Sequence, residues 1–180
     1  MKKWVSVTFV ILGSTGVILG IFYMVGHYFF YQKYVPSQNV YMERIAYINP
    51  DKALLSEDFD TCHDYIYDYY NPERPSYITG KKGLRKYILD NYCNNSYTDS
   101  GYLTVRFVIN CKGKTGRYVI HENDLDLIPK KFNEELKDQL FELTTDLDQW
   151  NPNVIRGNKV DSYMYISYRI ENGEIIEILP

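Results

Sequence analysis

The longest apolar stretch runs from Trp4 to Gln32 and contains no charged residue. A helix needs about 20 apolar residues to cross a hydrocarbon core of ~30 Å. The stretch therefore predicts one transmembrane helix, with length left for tilt. Farther along, Leu103, Val105, Phe107 and Ile109 alternate with Thr104, Arg106, Val108 and Asn110. That is the period-two pattern of a half-buried strand. Lys112, Gly113, Lys114 and Gly116 supply a turn, and Tyr118, Val119 and Ile120 continue as a second strand. Two stretches have helical spacing instead. One carries Leu84, Tyr87, Ile88 and Tyr92; the other carries Phe132, Leu136, Leu140, Leu143 and Leu147. Pro129 suits the first turn of the latter, and Trp150-Asn151-Pro152 ends it. Val160 to Ile170 reads as a third strand. Asn172-Gly173 is a two-residue turn signal, and Glu174 to Leu179 folds back as a fourth strand.

This order predicts an α+β chain. An N-terminal transmembrane helix is followed by a small antiparallel sheet of three to four strands packed on two helices. Residues 1–32 form the cytoplasmic tip and membrane helix. Residues 33–74 form a short linker broken by Pro36, Pro50 and Pro72, and residues 75–180 form the main domain. Within the linker, Phe59, Cys62, Tyr65, Ile66 and Tyr69 predict a short amphipathic helix over 53–70.

Charge adds orientation. Lys2 and Lys3 precede the apolar run, which places the N-terminus in the cytoplasm and the bulk of the chain outside it. The run is longer than a secretory h-region and ends in Tyr28, Phe29, Phe30 and Tyr31 rather than a small-residue cleavage site. Gly13, Gly16 and Gly20 offer a small-residue face for helix contact. His27 is the one titratable group of the span, near its outer end. The formal net charge is −3. No basic stripe stands out, so nucleic-acid binding is excluded. Cys62, Cys93 and Cys111 lack metal-site spacing. An odd count in an oxidising compartment permits one disulfide and one spare thiol. Cys62 with Cys111 is the pair taken, against the alternative of three unpaired thiols.

No constellation of residues supports an enzyme or a cofactor. Cys62-His63 joins a thiol to a base, but neighbours on a helix point in different directions. His121, Glu122, Asp124 and Asp126 cluster, yet no helical or strand period puts them on one face, so they read as a polar loop.

From about Pro75 to Ile178 the chain resembles the TonB C-terminal domain. The matching stretches are GKKGLRKYILDNY, GYLTVRFVINCKG, the Trp150-x-Pro152 pair and Gly157-Asn158-Lys159-Val160. The resemblance implies an inner-membrane protein with a periplasmic domain. It would transduce energy from a proton-driven inner-membrane motor complex to an outer-membrane transporter. The transporter's peptide segment would add to a sheet edge by β-augmentation. Carried over by position, that edge is Ser162, Tyr163, Met164, Tyr165, Ile166, Ser167 and Tyr168. The chain departs from the family in lacking a long Pro-rich spacer, and Tyr23 stands four residues before His27 where the family has serine. These departures point to the alternative, an anchored interaction module without energy coupling.

Overall fold

The computed structural model describes residues 14–29, 47–68 and 73–179. The chain divides into two compact units, Met1–Tyr47 and Ile48–Pro180. In the first, residues 14–29 form helix α1. Among the described residues no helix is long and apolar enough to cross a membrane, which overturns the fold expected from the sequence. Gly16, Gly20 and His27 lie on α1, and Gly13 lies outside the described residues.

The second unit is α+β. Its strands are β1 (Ser76–Tyr77), β2 (Gly101–Ile109), β3 (Thr115–Asn123), β4 (Trp150–Asn151), β5 (Asn153–Ile155), β6 (Asn158–Val160), β7 (Ser162–Glu171) and β8 (Glu174–Leu179). Two helices are interleaved, α2 (Gly80–Asn91) and α3 (Glu134–Thr145). The main sheet is antiparallel in the order β3-β2-β7-β8, and β1-β4 and β5-β6 form two small ribbons. Asn172 and Gly173 both have positive φ, as the tight β7–β8 turn requires.

Alternation along β2 and β7 sends Leu103, Val105, Phe107, Ile109, Met164, Ile166, Tyr168 and Ile170 to one face. There they meet Leu84 and Ile88 of α2 and Leu136, Leu140 and Leu143 of α3. The helix α3 starts at Glu134, not at Pro129, because the Asn133 side chain accepts from the backbone N–H groups of Glu135 and Leu136. Inside this core Thr144 Oγ1 donates to the Leu140 carbonyl and lies 2.7 Å from the Tyr168 hydroxyl. Thr144 has a single hydroxyl hydrogen, so Tyr168 is the donor of that second bond. Burial holds the Tyr168 phenol far above its ordinary pKa. Thr144→Val leaves that O–H unpaired, at an expected cost of about 1–3 kcal/mol. The pair Thr144→Val with Tyr168→Phe recovers most of the loss, which a denaturant double-mutant cycle checks.

The opposite face of the sheet is covered by an irregular arm, residues 48–67, and not by a helix. Ile48, Phe59 and Ile66 of the arm pack on Val108 and Tyr163. Gly116 makes this possible, since a Cβ there would stand 2.2 Å from the Phe59 ring. The arm also pairs its backbone. Leu54 and Tyr118 exchange two hydrogen bonds at the β3 edge, and Tyr67 accepts from the Tyr163 N–H beside β7.

Cys62 and Cys111 are joined by a disulfide that closes 49 residues of sequence separation. Beside it, Asp161 is fully buried. Its Oδ2 accepts from the backbone N–H groups of Cys62 (2.8 Å) and His63 (2.7 Å), and its Oδ1 accepts from Cys111 N–H (2.8 Å). One carboxylate thus satisfies three donors from two separate segments, and so fixes the arm to the β2–β3 turn.

Candidate functional site

Among the described residues, Cys62, Cys111 and Asp161 are the one trio of potential metal ligands that converges. The two sulfurs are bonded to each other and the carboxylate is filled with backbone donors, so the trio is a structural staple. Glu122 is likewise committed to the fold, because it accepts from the Phe132 N–H and pairs with Lys131. Asp124 Oδ1 accepts from the N–H groups of Asp126 and Ile128 and ties a turn.

The seven positions Ser162 to Tyr168 lie in β7, an interior strand paired with β2 along its length. On its other side β8 pairs from Ser167 onward, and Tyr67 sits against Ser162. Ser162, Tyr163, Met164, Ile166 and Tyr168 are buried, whereas Tyr165 and Ser167 are half-buried. The sheet ends instead in β3 and β8. Both outer edges are partly occupied by the chain itself. Leu54 sits on β3, and Arg85 donates through Nε and Nη2 to the Ile178 carbonyl at the β8 edge.

A pocket of about 210 Å³ opens where α2 begins. Tyr77, Leu84, Trp150 and Met164 line it, and Arg74, Lys81 and Gly80 stand around it. The β1–β4 pairing sets Tyr77 opposite Trp150, with the rings edge-to-face at 5.5 Å. Trp150 is further fixed by its Nε1–H, which donates to the Leu147 carbonyl, and by an edge-to-face contact with Phe107. The walls are therefore preorganised. Burial, and after it the nearby Asp148, raises the Tyr77 phenol above its ordinary pKa, so it stays neutral near pH 7.

The start of α2 brings the basic Lys81 to the pocket, while Asp148 acts on Tyr77 of its wall. The first turn of α2 has no acidic residue, and the Thr79 side chain makes no capping hydrogen bond. Lys81 and Lys82 add like charge to the positive end of the helix dipole. An apolar cavity flanked by Arg74 and Lys81 suits an apolar group that carries a carboxylate toward those two residues. The volume falls below the ~300–1,000 Å³ of pockets that enclose drug-sized ligands, so it fits a side-chain anchor. A second hollow, of about 450 Å³, is formed by residues 53–59 and Thr115 and carries more polar surface.

The sequence marks Trp150 as a helix stop and as half of the Trp150-x-Pro152 pair, and neither reading points to a pocket. The signal available was local: a first turn with two lysines and no acid opposes its own dipole.

Comparison with protein-family models, with curated proteins and with solved structures finds no match for the chain. The resemblance to the TonB C-terminal domain thus has no support from any of the three.

Proposed function

We propose that this protein is a non-enzymatic interaction module that works in an oxidising compartment and binds a segment of a partner protein. The pocket beside Trp150 holds an apolar anchor residue of that segment, while Arg74, Lys81 and the start of α2 attract its acidic flank. The single observation that carries this reading is the apolar pocket with Arg74 and Lys81 in its lining. The Cys62–Cys111 disulfide supports the compartment, since such bonds persist where thiols are not kept reduced.

The sheet-edge reading, with a transporter segment added along β7, is weaker. The strand pairs with β2 along its length and with β8 from Ser167 onward, and most of its side chains are buried. Coupling to a proton-driven motor complex has no observation in its favour.

Selection of displayed random peptides on the folded full chain tests the proposal. Enrichment of a large apolar residue next to Asp or Glu is expected, and Arg74→Glu should abolish it. Failure to enrich, or enrichment indifferent to Arg74→Glu, would remove the pocket from the account.

A further inference from the structure

The chain displays on its own surface a segment of the kind its pocket suits. Between β3 and α3, Leu125, Leu127 and Ile128 project as an exposed apolar tip, and Asp124 and Asp126 lie among them. The tip has a defined shape. Asp124 N–H donates to the Ile128 carbonyl, Leu127 N–H donates to the Asp124 carbonyl, and the Asp124 carboxylate holds the turn from within. The neighbouring lysines are engaged beside it. Lys130 donates to the Ser100 carbonyl, and Lys131 pairs with Glu122.

Leu127 is the telling residue. Its φ is 64°, in the left-handed region that a leucine adopts at a steric cost. The residue is 67% exposed, so it returns little to its own fold for that cost. Asparagine or glycine would suit the backbone better. A strained, exposed leucine on a rigid turn makes physical sense as an anchor for another surface.

Resting on the pocket reading above, we propose that the tip at 124–129 of one copy fills the Trp150 pocket of a second copy, so that chains associate head to tail. The fit is in size and in charge. The pocket has room for about one or two aliphatic side chains, and Arg74 in its lining would meet Asp126 of the tip. Among the described residues no tip residue lines the pocket of its own chain, so filling it with this tip takes a second copy. Tip and pocket are different patches, so the contact is heterologous. It generates rings or open chains according to whether the rotation closes.

Sedimentation equilibrium of the full chain, from micromolar to near-millimolar concentration, tests this. Self-association is expected, weakened at least tenfold in Leu127→Asn and about tenfold in Arg74→Glu or Asp126→Arg. The double variant Arg74→Glu with Asp126→Arg should regain most of it. Leu127→Asn suits the backbone, so it should fold at least as stably, which circular dichroism checks. A chain monomeric throughout overturns the proposal. So does association that is unchanged in Leu127→Asn, as sticking through the exposed apolar residues of α1 would be. Peptide selection that depends on Arg74 in a monomeric chain would leave the pocket reading intact and sink the self-association alone.

Discussion

Asp161→Ala is expected to cost about 3–5 kcal/mol, in the range for removing a buried charged partner. Three backbone donors, on Cys62, His63 and Cys111, lose the acceptor they share at once, because the carboxylate is fully buried and bonded to all three. A buried N–H left unpaired costs about 1–3 kcal/mol, and relaxation of the arm toward water recovers part of that. Total stability for a domain is only about 5–15 kcal/mol, so the variant loses a large share of it. Its Tm should fall by about 10 °C or more. Asp161→Asn keeps the shape but offers one acceptor oxygen in place of two, and should fall between the variant and the parent. Calorimetry of the three chains checks the order. An Asp161→Ala chain as stable as its parent would mean that the arm is not held by this carboxylate.

Removing the Cys62–Cys111 bond is the second large effect. Closing a separation of 49 residues restricts the unfolded chain by an amount worth about 4 kcal/mol on the chain-entropy account. Measured losses usually run lower, so Cys62→Ser with Cys111→Ser is expected to cost about 2–4 kcal/mol. The loss should be local before it is global. Hydrogen exchange should quicken first at Leu54 and Tyr163, whose N–H groups tie the arm to the sheet edges. The Asp161 bonds use backbone donors of the same two cysteines, so the serine pair and Asp161→Ala should be non-additive. Urea unfolding with and without a reductant gives the first number. Equal midpoints would mean that the bond adds no stability.

Both effects sit in the part of the chain that sequence reading described least well. The alternation in β2 was legible because Leu103, Val105, Phe107 and Ile109 all face one core. The two-residue turn at Asn172-Gly173 was legible because its residue types answer a backbone demand. The arm was misread as a helix. Phe59 and Ile66 have helical spacing by coincidence, and they reach Val108 and Tyr163 from an irregular backbone. A short apolar run cannot distinguish these cases, because what decides them is a long-range tether such as Asp161, 98 residues from His63. The membrane span was read from hydropathy and absence of charge, whereas among the described residues no helix is long and apolar enough for it. The pocket was not legible at all. Tyr77, Leu84, Trp150 and Met164 come from four elements and meet only through the β1–β4 pairing and the packing of α2.

Photocrosslinking in the native host, scanned over Ser76 and Lys81 at the pocket and over Ser167 and Glu177 on the sheet, tests the central claim most directly. The pocket account predicts capture of a partner from Ser76 and Lys81, lost in Arg74→Glu, with little from the sheet positions. Capture from Ser167 and Glu177 alone would contradict it and place recognition on the sheet.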